Sequence, residues 1–297
     1  NILSIIYNLF FVPYVSIIVF PITIVTTFAP FLLPIYELLI KILENISIAL
    51  SNIKVLTLIF PRLHIIVYLL YYILIIIFIK GLLSKNKKKL LPLFFLLIIH
   101  YTYPYLNKDL LIEMIDVGQG DSLIISSKNK AVLIDTGGKV KYKQEEWQKT
   151  NKDSSIVKNI TISLLKSKGL KKIDFLIITH GDYDHMGEAI NLVNNFKVDN
   201  VIFNCGEFNE LEKELIKVLD KKKIKYYSCI KELNIDNNKL YFLQTKEYDN
   251  ENDNSNVIYT ELDGYKFMFM GDAGVEKEKD ILEKYNLSNI DVLKVGH

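Results

Sequence analysis

Two histidines and two aspartates fall within six consecutive positions of the segment THGDYDHMGE, as His180, Asp182, Asp184 and His185. An apolar β-type run, KKIDFLIIT, leads straight into them, so all four stand beyond the carboxyl end of one strand and face one point in space. Imidazole nitrogen and carboxylate oxygen are the ligands that first-row metals use at catalytic sites. The chain has only 5 histidines, and two of them are here. A local reading exists: Asp182 or Asp184 caps the helix expected from Met186. A cap uses one carboxylate and leaves both imidazoles unexplained, which favours a metal site. Nucleophilic catalysis has less behind it, because neither Cys205 nor Cys229 lies beside a histidine in sequence. The turn DVGQGDS has too few ordered glycines for a loop that cradles nucleotide phosphates.

The elements that must position these residues begin near Leu110. The runs LLIEMIDV, SLIISS and AVLIDT are short, β-type and separated by turn residues, which predicts an antiparallel meander. Residues 155–168 have helical apolar spacing and stop at Gly169. Strands are expected at 171–179, 198–203, 225–227, 240–244, 257–262, 266–270 and 292–295, with helices at 186–195, 211–219 and 276–285. Strands mixed with helices in this order argue for a layered sheet-and-helix domain. The polar stretch 139–154, with Trp147, reads as a surface loop. A substrate-contacting flap, stacking Trp147 on a base, is the alternative.

Residues 1–106 are of another kind. Hydrophobic residues make up 50% of the 297-residue chain and charged residues 24%, but the two classes are segregated on either side of about residue 106. This segregation implies a membrane part at 1–106 and a water-soluble part at 107–297. No charged side chain occurs from Ile2 to Phe28, which predicts a spanning helix kinked or broken at Pro13 and Pro21. A signal peptide would need a basic start and a small-residue cleavage site, and neither is present. Residues 31–50 carry Glu37, Lys41 and Glu44 on one helical face, as in a bundle helix or an interfacial one. Residues 63–79 form a second strong span, followed by Lys80, Lys85, Lys87, Lys88 and Lys89, a cluster expected to stay cytoplasmic. The short apolar stretch 90–105 is a third, and if it crosses, the water-soluble part lies outside the cell.

The net charge of +2 neither demands nor excludes a nucleic-acid partner. Arg62 is the only arginine, so phosphate recognition falls to lysine, backbone amides or metal. The two cysteines lack CxxC spacing and the density of a disulfide scaffold, so they are expected to be small buried apolar residues rather than a bridge. The chain ends Val295-Gly296-His297 directly after an apolar strand-like run, as a fragment would.

His180-x-Asp182-x-Asp184-His185 resembles the HxHxDH signature of the metallo-β-lactamase superfamily, and aspartate in place of the second histidine resembles the ComEC family of DNA-uptake channel proteins. The hairpin IDVGQGDSLIISSKNKAVLIDTGG, the segment LKSKGLKKIDFLIITHGDYDHMGE, then NDNSNVIYTELDGYKFMFMGDAG and finally DVLKVGH occur in that family's order. VPYVSIIVFPITI is similar to the end of its competence domain. The resemblance covers essentially the whole chain. It implies membrane helices followed by an α/β domain, a four-layer αββα sandwich truncated at its C-terminus. It also implies a multi-pass plasma-membrane protein with the hydrolase domain outside, which handles single-stranded DNA beside the lipid bilayer and works with a DNA receptor or uptake machinery. A homo-oligomer is compatible with it.

Carried over by residue, the resemblance implies two divalent metal ions. His180 and Asp182 would hold the first, Asp184, His185 and His297 the second, and Asp272 in FMFMGDAG would bridge them. No histidine lies between His185 and His297, so the superfamily's third first-site histidine is missing. Ser255 and Lys294 are expected to contact phosphate, while Asp116, Gln119 and Asp135 brace the ligand loops. A carboxylate-rich set favours Mn²⁺ or Mg²⁺ over a zinc-hydrolase preference, although Zn²⁺ also binds such ligands well. The expected function is a metal-dependent nuclease that degrades the DNA strand that does not enter. A membrane-tethered hydrolase of another ester or amide, and a non-catalytic DNA-binding channel component, are the alternatives.

Overall fold

The computed structural model describes residues 3–51, 58–107, 109–128, 130–138 and 155–296. His297 and the stretch 139–154 with Trp147 lie outside the described residues. By compactness the chain divides into Asn1–Leu58 and Ile59–His297. Composition, which draws a boundary at residue 106, answers a different question, namely which solvent each part suits.

In the first unit, α1 (Leu3–Pro13) passes into π-helical turns over Tyr14–Val19, then α2 (Phe20–Phe28). Helical turns therefore run through both prolines, with a change of pitch after Pro13. Ser16 and Thr23 donate to the Val12 and Val19 carbonyls at 2.7 and 2.8 Å, which is how small polar residues are housed in apolar helices. The next helix is α3 (Leu33–Ser51).

The second unit starts with α4 (Ile65–Leu83) and α5 (Leu91–Leu106), joined through the lysine-bearing turn Lys87–Lys89. Three helical stretches, Tyr7–Phe28, Ile65–Leu83 and Lys87–Leu106, are long and apolar enough to cross a membrane. The end of α5 is tied to the water-soluble part of the chain. Lys171 Nζ donates to the Tyr101 and Tyr105 hydroxyls at 2.6 and 2.7 Å. Gly169, at φ +79°, packs against Pro104, where a Cβ would meet the proline Cγ at 2.4 Å. Glycine is needed there both for the left-handed turn and for the close approach.

Six strands form the first sheet in the order β1 (Leu111–Met114), β2 (Leu123–Ser127), β3 (Lys130–Ile134), β4 (Ile173–Ile177), β5 (Val198–Phe203), β6 (Lys225–Ser228). The first three are antiparallel, as the meander requires, and β3 to β6 run parallel. The crossovers use α6 (Ile162–Ser167), entered through π-helical turns, then α7 (Tyr183–Met186) with α8 (Ala189–Asn195), then α9 (Glu210–Lys222). The second sheet is ordered β11 (Val292–Lys294), β10 (Tyr265–Phe269), β9 (Ile258–Leu262), β8 (Asn238–Phe242), β7 (Glu232–Ile235), with α10 (Val275–Lys284) on its outer face. Strand β7 is not expected from the sequence, because ELNI carries no run of β-formers; pairing with β8 makes it a strand.

Strand alternation builds the layers. Leu123, Ile125, Val132 and Ile134 face Leu240, Phe242, Ile258 and Phe269 between the sheets. Their neighbours Ile124, Leu133 and Leu176 point the other way, against Leu165, Leu192 and Leu215 of the helices. A third cluster, with Met268, Met270 and Ile281, seats α10. The result is the αββα sandwich.

The cysteine expectation is overturned. Cys205 and Cys229 form a disulfide, and both residues are exposed. Parallel pairing of β5 with β6 sets the two strand ends side by side, a proximity that a sequence separation of 24 does not reveal.

Candidate metal centre

Strand β4 ends at Ile177, and Ile178, Thr179 and His180 continue into the buried rim of the sheet. His180 and His185 are buried, with ring centroids 4.2 Å apart. Asp272 reaches them from the turn after β10. These three residues offer donor atoms within 4.8 Å of one another, the one such cluster among the described residues.

Each imidazole is oriented by its Nδ1. His185 Nδ1 lies 2.8 Å from Asp135 Oδ2, and its Nε2 lies 3.2 Å from Asp272 Oδ2. His180 Nδ1 is 3.1 Å from the Thr179 hydroxyl and 3.2 Å from the Ser255 hydroxyl. With Nδ1 engaged, Nε2 of each ring is turned to the centre, the arrangement that a carboxylate or hydroxyl behind a metal-binding histidine enforces. His180 Nε2 and Asp272 Oδ1 are buried without a hydrogen-bond partner. An orphaned buried acceptor costs about 1–3 kcal/mol, so two at one point fit a site made for a cation.

The charges on His180 and Asp272 agree with that fit, and on His185 a cation would replace the proton that its two carboxylates hold. Burial, reinforced by the neighbouring His185, lowers the His180 pKa, which keeps its nitrogen lone pair free. Burial also opposes charge on His185, but the Asp135 and Asp272 carboxylates outweigh it and hold the group at about 10. Burial works against the Asp272 carboxylate too. There the hydrogen bond and charge of His185 prevail, assisted by His180 and Lys294, and hold the pKa at about 2.

The other expected residues take different places. Asp182 Oδ2 is 3.6 Å from His180 Nε2, at the open side, with its side chain 48% exposed. Asp184 is half-buried in α7, and its carboxylate is not among the converging donors. Its backbone carbonyl accepts from the Asp121 N–H at 3.2 Å. Gly120, at φ +79°, lies so close to that carbonyl that a Cβ would sit 1.6 Å from the oxygen. The DVGQGDS turn thus seats the ligand loop, and only glycine fits. Lys294 Nζ forms an ion pair with Asp121, donates to the Gly271 carbonyl at 2.7 Å and lies 3.7 Å from Asp272 Oδ1.

Asp135 braces most strongly. Its carboxylate, fully buried, accepts from the Thr179 N–H at 2.8 Å and the Thr179 hydroxyl at 2.6 Å besides holding His185. Asp116 accepts from the Gly118 N–H within its own turn, and Gln119 offers a carbonyl to Gly138. Sequence reasoning missed Thr179, Asn209, Glu251 and Asn256. Gly181 N–H donates to Glu251 at 2.9 Å, Asn209 donates to the Gly181 carbonyl at 2.8 Å, and Asn256 binds the Ile178 and Thr179 carbonyls. Asn209, Glu251 and Asn256 lie 28 to 78 residues from the atoms they hold, and no local pattern marks them, whereas Thr179 adjoins His180 in the motif itself.

Residues 115–297 match the metallo-beta-lactamase superfamily. The whole chain is 27% identical, over a 319-residue alignment, to ComE operon protein 3 of Bacillus subtilis, of which it spans 41%. Among solved structures, the subclass B3 metallo-beta-lactamase BJP-1 of Bradyrhizobium japonicum is 12% identical, with TM-score 0.40, covering 64% of this chain and 76% of that one. The metallo-beta-lactamase fold protein YhfI of Bacillus subtilis is 14% identical, with TM-score 0.37, covering 59% of this chain and 62% of that one. With the ordered motifs, the αββα layers and the family match, the chain belongs over residues 115–297 to the metallo-beta-lactamase superfamily, and along its full length, apolar helices included, it is similar to ComE operon protein 3.

Proposed function

We propose that the domain is a metal-dependent phosphodiesterase that cuts the DNA strand left outside during uptake. The observation that carries this reading is the convergence of His180, His185 and Asp272, with His180 Nε2 and Asp272 Oδ1 buried without a hydrogen-bond partner. Two divalent ions, Mn²⁺ preferred, would be held by His180, His185 and Asp272, with Asp182 at the open side and His297 as further ligands. Bound there, they would polarise a phosphoryl oxygen and offset charge on the departing oxygen, which suits a chain whose only arginine is Arg62. Lys294, beside Asp272, supplies fixed positive charge for the phosphate. The Ser255 hydroxyl is engaged with His180 and with the Asp272 N–H, which supports a positioning role for it rather than a phosphate contact.

The outer location has two independent supports. Lysines at 85–89 hold one end of the helical pair inside. The exposed Cys205–Cys229 disulfide belongs in an oxidising compartment. Protease added to intact spheroplasts should therefore remove the domain, and full protection while an outer-face control is clipped overturns the topology.

The activity is tested by incubating purified full-length protein with labelled single-stranded DNA and a panel of divalent ions. Cleavage lost in Asp272→Ala is the expected result. If DNA stays intact with every ion, a hydrolase of another ester or amide, or a DNA-binding channel component, takes precedence.

A further inference from the structure

Helix α10 covers only part of the outer face of the five-stranded sheet. Beyond its carboxyl end that face opens as a groove of about 530 Å³. The groove is floored by aromatic rings. Tyr241 of β8 and Tyr259 of β9 oppose each other in register, with centroids 6.3 Å apart and planes inclined by 35°. Tyr285 forms the wall, its hydroxyl donating to the Gln244 carbonyl at 2.7 Å. Tyr241 is 42% exposed, a large ring left in water on the solvent face of a sheet. Lys231 and Lys284 line the groove with one carboxylate, Glu232, among the described residues.

Phe242, Leu243 and Gln244 are shared with a second cavity of about 250 Å³ that reaches Ser255. In it Lys277, nearly buried in the first turn of α10, donates to the Ser255 carbonyl at 2.6 Å. On the far side of Ser255, its hydroxyl lies 3.2 Å from His180 Nδ1. The second cavity and the candidate metal centre thus lie on opposite sides of the fully buried Ser255. Lys246 lines the second cavity but is paired with Glu276 and Asp280, and Lys277 is buried, so the exposed positive charge of the groove comes from Lys231 and Lys284.

We propose that this groove is a binding track for single-stranded nucleic acid, with bases stacked on Tyr241, Tyr259 and Tyr285 and phosphates beside Lys231 and Lys284. The inference takes its direction from the nuclease reading of the metal centre. Aromatic faces in a groove select unpaired strands, because only there is a base's π-face free to stack, and lysines beside them follow the backbone charge. A duplex buries those faces against its own neighbours.

The test is binding, measured in EDTA so that no strand is cut. Full-length protein in detergent is titrated into fluorescein-labelled oligothymidylate of about a dozen nucleotides, and anisotropy is recorded. Tyr241→Ala should weaken binding about tenfold, while Tyr241→Phe, which keeps the ring, restores it. Lys284→Glu should weaken binding and flatten its salt dependence by about one counterion. Equal affinity of Tyr241→Ala, Lys284→Glu and the unaltered protein overturns the track, whether or not the strand is cut when metal is added. Binding lost in both variants, by a protein that cuts no DNA with any ion, sustains the track and removes the nuclease reading alone.

Discussion

Three loops leave the same rim of the six-stranded sheet and are held by two different means. The loop after β4, with His180 and His185, is buried and fixed by a polar network in which Asp135, Thr179, Ser255 and Asn256 each hold a named atom. The loops after β5 and β6 are exposed at Cys205 and Cys229 and are fixed covalently. Inside the domain low polarity strengthens every hydrogen bond, so a network suffices and sets side chains to within fractions of an ångström. At the surface, water competes for those bonds, and the disulfide acts by restricting the unfolded chain. Position matters most where the network is, and persistence of the fold matters where the staple is.

That contrast predicts a graded set of outcomes. Asp272→Ala and His185→Ala should lower hydrolysis by at least about a thousandfold, the scale of losing charge stabilisation at a hydrolytic site, and should empty the centre when metal content is assayed. Retained metal and activity in either variant would detach the converging cluster from function. Asp135→Ala removes a buried partner shared by His185 and Thr179. It should cost about 3–5 kcal/mol in denaturant unfolding and weaken metal affinity about 10- to 100-fold. A loss of stability alone would make Asp135 part of the scaffold only.

Reducing the disulfide, or replacing both cysteines by serine, should cost about 3 kcal/mol in unfolding while metal content stays unchanged. Loss of metal on reduction would show that the network and the staple are coupled.

Glu212 lies between them, in the capping box of α9 with Asn209, the residue that also holds the Gly181 carbonyl. Burial, with smaller contributions from Glu251 and Asp182, pushes its carboxyl up to about 7 from 4.5. Below pH 4.5 Glu212 is protonated folded or unfolded and exacts no cost. As pH rises towards 7 the unfolded state gains by ionising first, so stability falls over that window and stays lower above it. Glu212→Gln should therefore gain about 2 kcal/mol at about pH 8 and nothing at about pH 4, and parallel pH profiles of the two proteins would exclude this origin. The smallest effect is expected at Asp182, on the open side of the centre: Asp182→His should shift preference from Mn²⁺ towards Zn²⁺ by about tenfold, read from activity and affinity across both ions.

Periodicity and local chemistry were enough for the strand and helix order from β1 to β11, apart from β7, and for the apolar helices, because alternation and helical spacing are properties of adjacent residues. His180 and His185 were likewise legible, being close together in one loop. What the tertiary structure decided is which atoms meet. Asp135 stands 50 residues from the histidine it orients and Ser255 stands 75 from His180. Asp184, one residue before His185, is left outside the converging set because α7 and the Gly120 contact govern its backbone. The cysteine pair belongs with these. Two isolated thiols carry no local sign of partnership, and the parallel register of β5 and β6, a long-range product of the packed sheet, brings them together.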